Sequence, residues 1–158
     1  MTTFTPRTGT SDDADEIVRL ACVMWDAMGY AADVDDGPWR VAALGALQTR
    51  SGPTFRTVVV DHPEAPGELI ACGIGVIHER MPAFWNPNGL QGYVQWVSVE
   101  PAFRRQGLGR AVTEALLAWF AASDVLRVEM HATPDGDALY RQLGFDNPTY
   151  PNLWWQAP

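Results

Sequence analysis

The sequence predicts a mixed α/β fold, one sheet with helices on its faces, and three observations carry that expectation. Two segments with apolar residues at helical spacing open the chain, a run of β-branched strands follows, and the second half alternates strand, helix, strand, helix. At 158 residues the chain is long enough for a full hydrophobic core and short enough that one domain, 1–158, is expected.

Each element follows from local chemistry. A short strand is expected at Phe4 to Arg7. Thr10 and Ser11 then offer helix caps, with Asp12 and Asp13 at the positive helix end. Ile17, Leu20, Val23, Met24, Ala27 and Met28 recur at helical spacing until Gly29. Pro38 suits a first helical turn, and the apolar residues from Trp39 to Leu47 continue a second helix to Arg50, which Ser51-Gly52-Pro53 breaks. Phe55 to Asp61 and Glu68 to His78 read as two strands joined by the turn His62 to Gly67. Glu79 to Gly92 carries two prolines, two glycines, Phe84 and Trp85, and reads as a long loop. A strand at Tyr93 to Val99, a long helix from Leu108 to Ala122, a strand at Arg127 to His131, a short helix at Asp137 to Leu143 and a last strand at Leu153 to Trp155 complete the order.

Composition narrows the function. A net charge of -8 leaves no broad basic surface to grip nucleic acid. No apolar run reaches a membrane span, and the first nine residues lack a basic start followed by an apolar stretch, so a cytoplasmic location is the default expectation. The two cysteines, Cys22 and Cys72, have none of the close spacing of metal sites or disulfide frameworks, and no metal is expected; both read as buried thiols. Cys72 and Met81 are read as packing residues.

The chemistry concentrates between Val97 and Arg110. Gly107 and Gly109 let a bound group approach the backbone where the free N–H groups of the next helix point outward. Arg104, Arg105 and Arg110 crowd three cations there in an otherwise acidic protein, which fits a pyrophosphate; a capped surface turn with solvated arginines is the competing explanation. The Lys-Ser/Thr pair of a P-loop is absent, and Val112 stands where a dinucleotide fingerprint requires Gly or Ala.

Arg104-Arg105-Gln106-Gly107-Leu108-Gly109 resembles the signature of the GCN5-related N-acetyltransferase (GNAT) family: Gln or Arg, two residues, Gly, one residue, Gly or Ala. The hydrophobic strand ending in Val97-Ser98-Val99, then Pro101 and Phe103, precede it as in the family, and Ala138 to Phe145 resembles a second family element downstream. The resemblance is clearest from Tyr93 to Phe145. It implies a single-domain GNAT-like fold, α/β with a central, mostly antiparallel sheet, and acetyl-CoA as acyl donor. It also implies that the strand around Val97 and Val99 splays from its neighbour and pairs with the pantetheine arm. Amides from Arg105 through Gln106, Gly107, Leu108 and Gly109 to Arg110 would bind the pyrophosphate, and Tyr140 would stand near the thioester sulfur. The implied activity is transfer of an acetyl group to a primary amine of a small molecule or peptide. A CoA-binding sensor or interaction module without catalysis is the alternative.

An attacking amine must be neutral, and a departing thiolate is stabilised by a proton donor, a role open to Tyr140. Many family members carry a glutamate on the strand before the loop, but here that strand begins Tyr93-Val94-Gln95-Trp96. Glu100, Glu79, His78 and His131 are the remaining relays, and none is singled out. Phe84 and Trp85, in their irregular loop, are expected to line an acceptor pocket, whereas Trp96, Trp154 and Trp155 are assigned to packing. A homodimer through the aromatic C-terminal segment is a further expectation.

Overall fold

A computed structural model describes residues 4–30, 34, 37–50 and 52–158. Its elements are strand β1 (Arg7–Thr8), a 3-10 turn (Ser11–Asp13), helices α1 (Ala14–Ala27) and α2 (Pro38–Thr49), strands β2 (Phe55–Asp61), β3 (Leu69–Glu79) and β4 (Leu90–Val99), a second 3-10 turn (Pro101–Phe103), helix α3 (Leu108–Ala122), strand β5 (Arg127–Met130) and helix α4 (Pro134–Gln142). The strands form one sheet in the order β1-β2-β3-β4-β5, antiparallel except for the parallel β4–β5 pair. The parallel pair is joined through α3, the crossover that such a pair requires.

Helices cover both faces. On one, α3 sets Val112, Leu116 and Phe120 against Val58, Val60, Ile70, Ile77 and Val94. On the other, α1 and α2 bring Ile17, Val18, Leu20 and Leu47 against Val59, Leu69, Cys72 and Ile74. The strand alternation of period two explains the division, since Val58 and Val60 face α3 while Val59 between them faces α1. α3 lies very close to β3: a Cβ added at Gly73 would sit 2.7 Å from Val112 Cγ1, and one at Gly75 would sit 2.6 Å from Trp119 Cζ3. These two bare positions set the depth at which α3 rests, and therefore where its N-terminus emerges. A polar network ties α1 to the sheet. Arg19 donates to Glu16, to the carbonyl of Leu69 and to Glu100 at 2.7 Å, while Glu16 accepts the N–H of Leu69.

Several expectations need correction. β1 is Arg7–Thr8, held by pairing with Val58 and Val59. β4 starts three residues earlier than expected, because Leu90, Gln91 and Gly92 continue the ladder with Glu79, His78 and Ile77. α4 starts at Pro134, where Thr133 takes the cap position and proline fills the first turn. Leu153 to Trp155 is not a strand: it pairs with no strand among the described residues, and Leu153, Trp154 and Trp155 are all more than four-fifths exposed, so no buried apolar face holds it to the sheet. Met81 is 88% exposed, so it does not pack, and Cys22 is only half-buried. Cys72 is fully buried, and that burial pushes its thiol pKa up to about 12. Among the described residues no helix is long and apolar enough to cross a membrane.

Candidate active site

The site begins at a defect in β4. β4 pairs with β3 through Gln95↔Ile74 and resumes at Ser98↔Cys72, so Trp96 and Val97 together oppose Gly73. This is a β-bulge, and Trp96 takes φ 55, a left-handed conformation that costs a side-chain-bearing residue about 1–2 kcal/mol. Packing offsets that cost. The Trp96 ring meets Trp25 of α1 edge-to-face at 5.2 Å, and its carbonyl accepts from the Cys72 thiol at 3.5 Å. On the other side of β4 the ladder with β5 ends at Val94↔Met130, so beyond that pair β4 has no strand partner there among the described residues. The two parallel strands diverge, and α4 follows β5 away.

A cleft of about 1140 Å³ opens at this divergence. Val97, Val99, Arg104, Arg105, Gly107, Leu108, Gly109, Arg110 and Tyr140 all line it, as do His131 and Gly136; Gln106, exposed, does not. The loop reverses through two left-handed residues, Arg105 at φ 65 and Gly107 at φ 82. Gly107 is the N-cap of α3, and a Cβ there would meet nothing within 4 Å, so open space lies against the backbone at the positive end of a 15-residue helix. Arg104 bends back to donate to the carbonyl of Val99 at 3.2 Å, and Arg110 bridges to Gln142 of α4 and Glu114 of α3. Arg105 makes no such tie among the described residues. The sequence reading placed the three cations together, and the structure shows two of them also bracing the cleft.

α4 supplies the other wall. Its Tyr140 ring is buried, packed edge-to-face on Phe145 at 6.0 Å and seated over Gly136, where an added Cβ would come within 2.7 Å of the ring. Burial raises the Tyr140 pKa above its ordinary value of 10.0, so the phenol keeps its proton through neutral pH. Leu139 approaches Gly109 closely enough that a Cβ there would make ordinary contact at 3.4 Å, which fixes the spacing of the two walls.

The four proton relays separate cleanly in space. Glu100 is committed to Arg19 at 2.7 Å, and His78 and Glu79 pair with Gln91 and Leu90 at the opposite end of β4. Only His131 of the four lines the cleft, with its Nδ1 2.7 Å from the Tyr93 hydroxyl. Tyr93 has its pKa raised by burial and by Glu129, so its hydroxyl stays neutral and can accept an N–H from His131. Phe84 and Trp85 lie in the loop before β4, the far end of the strand; they meet edge-to-face at 4.4 Å, are exposed, and line no part of the cleft. Tyr30, just past the end of α1, lines the cleft instead; it falls outside the helical and strand patterns, so no periodicity in the sequence marks it. Among the described residues no group of three His, Cys, Asp or Glu side chains is placed to hold a metal ion.

Comparison with solved structures finds the same fold over nearly the whole chain. A GCN5-related N-acetyltransferase from Ralstonia eutropha matches with a TM-score of 0.77 and 23% identity, covering 97% of this chain and 99% of its own. A predicted acetyltransferase from Clostridium acetobutylicum, solved with acetyl-CoA, matches with a TM-score of 0.80 and 14% identity, covering 99% and 96%. A glucosamine-6-phosphate N-acetyltransferase from Arabidopsis thaliana matches with a TM-score of 0.69 and 19% identity, covering 98% and 99%. No curated protein matches by sequence. The family model described as acetyltransferase (GNAT) domain matches residues 53–147, from β2 past the end of α4, and thus every residue lining the cleft except Met24, Ala27, Met28 and Tyr30. The chain therefore belongs to the GNAT acetyltransferase family.

Proposed function

We propose that this protein transfers an acetyl group from acetyl-CoA to a primary amine, and the observation that carries the reading is the cleft at the β4–β5 divergence with its loop of turned amides. The fit of the donor rests on two features of this chain. The backbone at Gly107 is open to an approaching anion at a helix N-terminus, with Arg104, Arg105 and Arg110 around it. Past Val94 this edge of β4 has no strand partner among the described residues, which leaves backbone groups around Val97 and Val99, apart from the Val99 carbonyl that Arg104 holds, to an extended, amide-bearing arm. Amides from Arg105 through Gln106 to Arg110 would hold the pyrophosphate, and Val97 and Val99 the pantetheine. Bound acetyl-CoA supplies an acetyl group activated as a thioester.

The chain's own groups position the acceptor and manage protons. Tyr140 keeps its hydroxyl proton through neutral pH and makes no hydrogen bond to the protein among the described residues, so that proton is available to the sulfur side of the cleft. His131 takes the proton of the incoming ammonium. In the tautomer whose Nδ1–H donates to the Tyr93 oxygen, Nε2 carries the lone pair and is the atom that acts as base.

Calorimetric titration with acetyl-CoA tests the reading, on the native protein and on Gly107→Val. A β-branched residue at φ 82 is strained and projects methyl groups beside the anion path. Binding by the native protein, with a loss of tenfold or more in the variant, supports the assignment; absence of binding by the native protein at millimolar ligand removes it. His131→Gln is expected to lower kcat at least tenfold with acetyl-CoA affinity unchanged.

A further inference from the structure

Two parts of the chain stand without the partner their chemistry calls for. The first is the segment 147–158, which carries no Asp, Glu, Lys or Arg in a chain that is otherwise 19% charged. Within it Tyr150, Leu153, Trp154 and Trp155 are each more than four-fifths exposed, a concentration of large apolar groups that marks an interface. The second is β5, the end strand of the sheet: among the described residues no hydrogen bond is made to its outer edge. Such an edge is a template for one more strand. We propose that two copies of this chain associate by exchange, with Leu153 to Trp155 of each adding as a strand to the outer edge of β5 of the other.

The two halves fit each other. Arg141 donates to Asp146 at 2.9 Å and to Asn147 at 2.7 Å, which anchors the start of the segment to α4, and Pro148 and Pro151 then hold it extended. Both prolines precede the pairing residues, all three of which keep their backbone N–H. In β5, Val128 and Met130 pack toward the α3 core. Side chains alternate along a strand, so Leu153 and Trp155 fall on one face together and continue that apolar layer beyond β5, with Leu126, 66% exposed, directly before the strand.

The partner is a second copy because one chain holds both unmet halves, and a two-fold exchange satisfies both twice in a closed assembly. Charge favours this contact over others. Each copy carries a net charge of -8 and repels its like, whereas the segment itself is uncharged. The area is also sufficient. Three aromatics that bury roughly 150–250 Å² each, with Leu153, offer about 600 Å² per protomer, and the β5 edge supplies the remainder of the roughly 800 Å² per partner of a standard interface.

Sedimentation velocity and hydrogen–deuterium exchange test this on the native chain, at about 1 and 100 µM, and on Trp154→Ser combined with Trp155→Ser. At the higher concentration the native chain is expected at about 35 kDa, twice the 17.4 kDa of one chain, with the amides of β5 and of Leu153 to Trp155 exchanging at least tenfold more slowly than in the variant. Removing the two anchors should weaken association on the order of 100-fold and leave a single chain in solution. A native mass of one chain at the higher concentration overturns the proposal, including the case where Leu153 to Trp155 are protected within that single chain. So does a dimer that persists in the variant, or a tryptophan-dependent dimer whose β5 amides exchange as fast as in the variant. Dilution of the native chain keeps the test decisive if the variant fails to fold: mass and β5 protection falling together support the exchange, and protection that outlasts the dimer overturns it.

Discussion

Gly136→Ala separates the stability of α4 from its function. Gly136 is the third residue of α4, and alanine is the better helix former by up to about 1 kcal/mol, somewhat less in a first turn. The new Cβ would stand 2.7 Å from Tyr140 Cε2, where carbon atoms settle at about 3.5–4.0 Å, so the ring must withdraw by roughly 1 Å. The Tyr140 side chain is buried against Phe145 and lines the cleft, so it has that open side to tilt toward at modest cost. The two effects on stability nearly cancel, and a change in Tm within about 3 °C is expected. Activity does not share that cancellation: displacing a positioned proton donor by 1 Å costs on the order of 100-fold in kcat, about 2.7 kcal/mol of barrier. Differential scanning calorimetry and thiol-release kinetics with acetyl-CoA and an accepted amine measure both quantities on one preparation. A variant that keeps its Tm and loses activity, matched by Tyr140→Phe, supports the placement of Tyr140. Full activity in Gly136→Ala with an unchanged Tm would refute the argument, because the ring position would then have no bearing on the reaction.

Other predictions follow from the same packing. Gly75→Ala places a Cβ 2.6 Å from Trp119 and about 3.1 Å from Leu116 and Phe120, so α3 must lift from β3; a loss of about 1–3 kcal/mol, read as a fall in Tm of several degrees, is expected. Hydrogen bonds from Arg7 hold the carboxyl pKa values of Asp13 and Asp61 below the usual range. Because the folded values are depressed, this stabilisation is complete above the unfolded value of about 3.9 and disappears as pH falls through the folded values; urea midpoints should drop below about pH 4, less steeply in Arg7→Gln. For Tyr140 the sign reverses, since burial raises its folded pKa: the phenol keeps its proton past pH 10, the alkaline fall in kcat from its ionisation should begin only above that, and Tyr140→Phe should lack this fall. Its contribution to stability is likewise present below about pH 10 and lost as pH climbs through the raised value.

What the residues alone determine is the order of elements and the loop. Periodicity places α2, β2, β3 and α3 within a residue, since each has a buried face whose spacing survives in the sequence, whereas α1 begins at Ala14, after a 3-10 turn at Ser11–Asp13, rather than at the expected caps. The arginine and glycine pattern from Arg104 to Arg110 marks the anion loop because its chemistry is local: the turn, the helix N-terminus and the charges are contiguous in the chain. Tertiary structure decides everything that depends on separate segments meeting. His78, Glu79, Glu100 and His131 are equal on sequence; sheet register sends two of them to the far end of β4, an ion pair with Arg19 removes the third, and only His131 reaches the cleft. Phe84 and Trp85 look like pocket residues because they sit in a loop, yet the strand direction carries that loop away from the site, while Tyr30, which no periodicity marks, lines the cleft. A helix pattern records that a face is covered, not which element covers it, and a bulge at Trp96 shifts register by one residue without any mark in the alternation that precedes it. The site is assembled by that register, and register is a property of pairs of strands rather than of any one of them.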